Sequence, residues 1–211
     1  NIVNGSPIAD GTIYLLALDA TLHLRHQEKR RSVALKDFFT GYKSLDLHEG
    51  ELVESIEFPA LKKQTLFNFE KVCQRSHLDI ASVNTAISLY LKVPADSLAS
   101  PDQSSCCVSY CVVSSQSGGM DVRAPQGIIE EVHLSAGGVA PVPLYLQQTV
   151  AYLTGKEVTA EVIDRAVEVA KEEISPISDI RGTAAYKRLL LGQLIKAHFA
   201  KLLSDNAGGS Q

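Results

Sequence analysis

The chain opens on Asn1-Ile2-Val3-Asn4-Gly5-Ser6-Pro7-Ile8-Ala9-Asp10, in which two asparagines, a serine and a carboxylate surround one glycine and one proline. Residues of these types can hold a polar ligand. Short amide and hydroxyl groups make hydrogen bonds, the backbone at a glycine can approach closely, and the Asp10 carboxylate accepts. An apolar run at 13–18 follows, so the stretch reads as an ordered turn feeding a buried element; an ordinary surface turn has the same composition.

The other reactive side chains are poorly spaced for chemistry. Cys73, Cys106, Cys107 and Cys111 form neither paired Cys-x-x-Cys clips nor a zinc set, and Cys106 and Cys107 would point to opposite faces of a strand. They read as free thiols packed as small hydrophobes in a reducing cytoplasm, with a disulfide or metal site as the alternative. His23, His26, His48, His77, His133 and His198 include no pair at helical ligand spacing and read as surface or core residues. The neighbouring pairs Glu130/Glu131 and Glu172/Glu173 diverge in space and read as solvated faces. No nucleophile elbow, phosphate-binding loop or zinc motif is present. A formal net charge of -4 with no dense basic face argues against nucleic acid. No apolar run reaches the roughly 18 residues of a membrane span.

These residues need elements to position them. Residues 12–18 read as a helix, and 21–25 and 32–35 as hairpin arms around a charged turn at 27–30. A single helical turn at 36–39 and a loop at 41–50 lead to a strand at 51–58, with Leu52, Ile56 and Phe58 on one face. Pro59 stops that strand because it has no amide to give the ladder. Lys62 and Lys63 read as a solvated link and a domain boundary. Beyond it the pattern is a sheet with helices. A strand runs from Phe67 into Cys73, and strands at about 82–93, 105–115 and 128–136 follow, their short connections arguing for antiparallel pairing. Then come a helix at 147–153 closed by Gly155, and one capped by Thr159 with Val162, Ile163, Ala166, Val169 and Ala170 inward. A last helix opens at Thr183, with Tyr186, Leu190, Leu194 and Ala197 inward and Lys187, Arg188, Lys196 and Lys201 elsewhere.

Four stretches, in order, resemble the flavin-binding subunits and domains of the xanthine dehydrogenase family, the molybdenum hydroxylases. Asn1, Ile2, Ser6, Pro7 and Asp10 match Gly-Asn-Ile-x-x-x-Ser-Pro-x-x-Asp. Leu52-Val53-Glu54-Ser55-Ile56-Glu57-Phe58-Pro59 resembles the strand closing the family's flavin domain. The run from Phe67 to Arg75 with Asp79-Ile80-Ala81 resembles Phe-x-Lys-x-x-x-Arg-x-x-x-Asp-Ile-Ala, and Arg181 to Arg188 resembles the start of the family's last helix. The resemblance implies an α+β chain. Residues 1–62 would be a C-terminal remnant of the FAD-binding domain, built of antiparallel strands. Residues 63–205 would be a flavoprotein C-terminal domain, a three-stranded antiparallel sheet packed with helices, and 206–211 a disordered tail. Because the chain begins with Asn inside a motif, a fragment or cleavage product is expected.

The resemblance also implies roles. Asp10 falls at an acidic residue that contacts FAD, with a helix N-cap as its structural alternative; Val53 falls at an aliphatic residue on the isoalloxazine face, or in simple core packing. Lys71 falls at a lysine whose cation steadies a reduced flavin, or is a solvated lysine. Asn1 and Asn4 supply hydrogen bonds beside the cofactor, Asn4 standing where relatives often have Thr or Ser, and Arg75 and His77 lie on the nicotinamide-facing side. The whole enzyme would carry a molybdenum cofactor and 2Fe-2S clusters on partner subunits or domains. It would pass electrons through the flavin to NAD or another acceptor. A flavin subunit of a carbon monoxide, nicotinate or aldehyde hydroxylase, and a non-catalytic assembly module, are the rival readings. The departures are the missing glycine before Asn1 and the missing glycine-rich phosphate turn, for which Gly118-Gly119 and Gly137-Gly138 are no substitute. A weak hold on FAD by this stretch alone is the consequence.

Overall fold

The computed structural model describes residues 1–75, 79–92 and 127–205. Pro7 and the extended backbone of Ala9 deliver the opening turn directly into α1 (Asp10–Leu16), two residues earlier than the apolar run alone indicates. The helix buries Ile13 and Leu16, each contributing about 1.5–3 kcal/mol of apolar transfer. A hairpin follows, β1 (Thr21–His26) and β2 (Lys29–Ala34), whose turn is tighter than expected because Gln27 takes a left-handed φ of 55°. After the single turn α2 (Leu35–Phe38), the expected loop at 41–50 contains a small ladder, β3 (Phe39–Gly41) with β4 (Ser44–Leu45). Strands this short leave no alternation to read.

Strand β5 (Leu52–Glu57) completes the first sheet in the order β2-β1-β5. Its faces differ from the expected ones. The register slips between His23 and Leu24, so that Ser55 pairs with His23 and Val53 with Leu24, leaving Glu54 as an extra residue. Such a bulge reverses the alternation beyond it. Val53 and Ile56 therefore share the face of the buried Leu24 and Leu22, Leu52 pairs with Arg25, and Phe58 lies exposed past the strand end. Arg25 and Arg30 hold Glu54 at 3.0 and 2.9 Å.

The second sheet runs β6 (Leu66–Val72), β7 (Val83–Lys92), β8 (Ile128–Gly137) and the two-residue β9 (Leu144–Tyr145), antiparallel throughout and in that order. Strand β7 has β6 on one edge and β8 on the other, and the strand expected at 105–115 lies outside the described residues. A second slip, between Tyr90 and Leu91, skips Glu130 and brings Ile129 onto the same face as Val132 and Leu134.

That face meets α3 (Gln147–Leu153), α4 (Ala160–Glu173) and α5 (Ala184–Asp205) in the larger core. The opposite face meets α1, and its Ala86 belongs to the core shared with Leu22, Leu24 and Phe38. The hydroxyl of Thr159 caps α4, accepting from the Val162 amide at 3.2 Å. Glu173 is not a solvated acid: it accepts from the Gln148 and Thr149 amides at 2.9 and 3.1 Å and so caps α3, which has no side-chain cap of its own. Helix α5 turns Leu190 and Leu194 to the core as expected, but its buried face is wider: Lys187, Leu191, Ile195, His198 and Phe199 are also buried, while Tyr186 is exposed. Lys187 tolerates burial because its ammonium meets Asp179 at 2.8 Å and the Ile177 carbonyl at 3.0 Å. Lys62 likewise is not a free link, with its Nζ 2.8 Å from Glu131 and 4.2 Å over the Tyr90 ring. No helix among the described residues is long and apolar enough to cross a membrane.

Candidate functional site

Register across the second sheet sets Lys71, Asn84 and Gly137 side by side on β6, β7 and β8, on the face that α1 covers. Above this row lies the first residue of α1. Lys71 Nζ donates to Asp10 Oδ2 at 2.7 Å, and Asn84 Nδ2 donates to Asp10 Oδ1 and, at 3.2 Å, to the Ile8 carbonyl. Asp10 is therefore not the helix cap; Ala9 occupies that position without a side-chain bond, and both Asp10 oxygens are engaged by the sheet. The pair is open on one side, the Asp10 side chain being 44% exposed and that of Lys71 26%. An anion at the start of a helix gains further from the exposed amides there.

Three features of this arrangement are invisible in the sequence motifs. Asn84 is fully buried, and its Oδ1 has no partner, a desolvation cost of about 1–3 kcal/mol. At Gly137 an added Cβ would lie 2.1 Å from that oxygen and 3.1 Å from the Pro7 carbonyl. Gly138, with φ +78°, donates its amide to Pro7 O at 2.9 Å, and its own Cβ would fall 2.5 Å from the Ser82 carbonyl. The Gly137-Gly138 pair thus does more than redirect the chain. It lets the opening turn lie flat on the sheet.

Of the residues singled out from sequence, the structure joins Asp10 to Lys71 directly. Asn1 and Asn4 are exposed on the same turn and share no hydrogen bond with the pair, and Val53 is half-buried against the core of Ile13, Leu16, Leu22 and Leu24. Along β6, Phe67 and Phe69 share the face of Lys71. Tyr14, one turn beyond Asp10 on α1, packs its ring against Phe67 at a tilt of 49°, 4.3 Å between ring centroids. Arg75 is exposed and bonds to Asp79, whose carboxyl is held below its ordinary range first by the Arg75 amide. His77 lies outside the described residues, as do Cys106, Cys107 and Cys111; Cys73 is a free thiol.

Two cavities lie away from these residues. One, of about 470 Å³, is between α4 and α5 and is lined by Asp164, Glu168, Lys171 and Lys196 among others. The other, of about 130 Å³, lies under Pro59–Lys62 and is bounded by Ser88, Glu131 and His133. His133 there shares a 2.8 Å hydrogen bond with the phenol of Tyr145, whose pKa burial drives well above its usual range. Among the described residues no cluster of His, Cys, Asp and Glu could hold a metal.

The donor set suits one edge of a flavin: an ammonium, a carboxylate open on one flank, and the backbone of a turn clamped by Asn84 and Gly138. The close seat of the turn on the sheet depends on Gly137 having no Cβ.

Comparison with known proteins agrees. Residues 1–61 match the model of the FAD binding domain in molybdopterin dehydrogenase, and residues 109–202 that of the CO dehydrogenase flavoprotein C-terminal domain. The chain belongs to the FAD-binding flavoprotein family of the molybdenum hydroxylases. It is 27% identical over 95% of its length to the glyceraldehyde dehydrogenase medium chain of Sulfolobus acidocaldarius, of which it covers 59%. It is also 28% identical over 82% of its length to the xanthine dehydrogenase of Oryza sativa subsp. japonica, covering 11% of that protein. Its fold superposes with a TM-score of 0.74 on carbon monoxide dehydrogenase from Hydrogenophaga pseudoflava, at 24% identity, covering 97% of this chain and 59% of the other.

Proposed function

We propose that this chain forms one wall of the flavin site in a molybdenum hydroxylase, with residues 1–62 as part of the FAD-binding domain and 63–205 as the C-terminal domain that braces it. The observation that carries this reading is the 2.7 Å ion pair between Asp10 and Lys71, which brings together two motif residues 61 positions apart. Both are positions that the family resemblance assigns to the flavin.

FAD, when bound, supplies the relay between single electrons arriving from iron-sulfur clusters and a hydride leaving to NAD or another acceptor. The chain's own residues do the rest. Lys71 presents a cation to the ring edge and so favours the negative charge of the reduced form, and Asp10 holds that cation while its open flank accepts from the ring or ribityl chain. Asn1 and Asn4 border the same turn, and Val53 packs on the ring from the first sheet. The molybdenum centre and 2Fe-2S clusters belong to partner subunits or domains, to which this chain docks.

Titration of FAD against the 211-residue chain, and against a version extended to the length of its relatives, tests this. The extended protein is expected to bind FAD stoichiometrically and the chain alone weakly. Stoichiometric FAD on the chain alone overturns the view that the phosphate-binding part lies outside it. Absence of FAD from the extended protein makes the assembly-module reading the correct one.

A further inference from the structure

Asn84 lies within β7, in the buried run from Val83 to Leu89, and is fully shielded from solvent. Its partners fix the orientation of its amide. Nδ2 has oxygen acceptors for both of its hydrogens, Ile8 O and Asp10 Oδ1, and turning the amide over would set Oδ1 against both. Oδ1 meanwhile accepts nothing, although it is buried. A buried acceptor left unpaired is destabilising and calls for a specific explanation, which the two bonds made by the other end of this amide supply.

We infer that Asn84 is the positioning residue of the flavin-facing pair. It grips one Asp10 oxygen so that the other meets Lys71, and with its second hydrogen it pins the turn at Ile8. Gly137, its register partner on β8, completes the device by leaving Oδ1 room. The inference rests on the assignment of Asp10 and Lys71 to FAD, and its own content is that Asn84 acts through Asp10.

A double-mutant cycle in the full-length flavoprotein tests it, with FAD dissociation constants from flavin fluorescence for the wild type, Asp10→Ala, Asn84→Ala and the double variant. Asn84→Ala is expected to weaken FAD about tenfold, and to change affinity by less than about twofold once Asp10 is already Ala. Losses that multiply in the double variant overturn the inference, because Asn84 would then act independently of Asp10. Unchanged affinity in Asp10→Ala instead overturns the flavin assignment on which it rests. A second measurement needs no flavin: the acetylation rate of Lys71 in FAD-free protein, read by mass spectrometry. Asn84→Ala and Asp10→Ala are each expected to raise that rate several-fold, and a rate unchanged by Asn84→Ala overturns the inference. Asn84→Ser, which keeps one donor, should give intermediate values in both assays and carries the test if the alanine variant does not fold; wild-type values in both overturn it.

Discussion

His198 shows how a single side chain ties α5 to the sheet. Asn68 Nδ2 donates to its Nδ1 at 2.8 Å, so its Nε2–H donates to Thr85 Oγ1 at 2.7 Å, and the ring must be neutral to make both bonds. Burial, opposed by Glu70 and aided by Lys201, lowers its pKa from 6.5 to about 4. The unfolded chain therefore binds a proton that the folded chain refuses. Stability from this residue is complete above about pH 6.5 and is lost as pH falls towards 4, a total of about 3 kcal/mol. Carboxylates such as Glu51, held down to about 2 mainly by its hydrogen bonds from Arg31, lose their contribution only at lower pH. Denaturant unfolding between pH 7 and 5 should thus reveal a slope that His198→Leu removes; an unchanged slope in that variant would assign it to another group. At Gly137, replacement by Ala sets a methyl 2.1 Å from Asn84 Oδ1. A loss of about 1–3 kcal/mol is expected in thermal melting, together with weaker FAD binding. Asp10 and Lys71 could be found from sequence because each sits in a motif with an unusual residue order. Asn84 could not, since a lone amide inside an apolar run carries no pattern, and its importance depends on a register that only the paired strands define.

At the scale of elements, the helices show which signals survive in sequence. The cap and apolar stripe of α4 are local, and the structure reproduces the cap and the stripe at Val162, Ile163, Ala166 and Ala170, with Val167 in the core in place of the expected Val169. The seven-residue α3 is too short to stand alone, and its cap comes from Glu173 at the far end of α4, 24 to 25 residues away in sequence. Thr159→Ala and Glu173→Ala should each cost about 1 kcal/mol, measured by denaturant midpoint, and Glu173→Ala should also increase hydrogen exchange in α3. No such increase would show that α3 is held by packing alone. Helix α5 was harder to read, because Lys187 and His198 are polar and yet face inward, each satisfied by a partner distant in sequence. The two bulged strands show the opposite problem. In β5 and β8 one extra glutamate shifts the alternation, so a strict period of two puts Leu52 and Ile129 on the wrong faces.

The whole molecule is two cores that meet at one sheet. Helices α3 to α5 fill one face of β6-β7-β8-β9, while α1 joins the other face to the first sheet, and the Asp10–Lys71 pair sits where the opening turn crosses from one to the other. This placement brings a motif at the start of the chain and one near residue 70 together in one place. It also makes the site dependent on a sheet assembled from distant strands, so that loss of the Asn84 or Gly137 contacts should reach the flavin without touching it. The central claim is that Lys71 presents its cation to a flavin. The most direct measurement is the two-electron midpoint potential of FAD bound to the full-length protein, compared with Lys71→Gln. The potential is expected to fall by roughly 30 mV, the equivalent of about 1.4 kcal/mol of stabilisation lost from the reduced form. An unchanged potential in a variant that retains its FAD would contradict the claim.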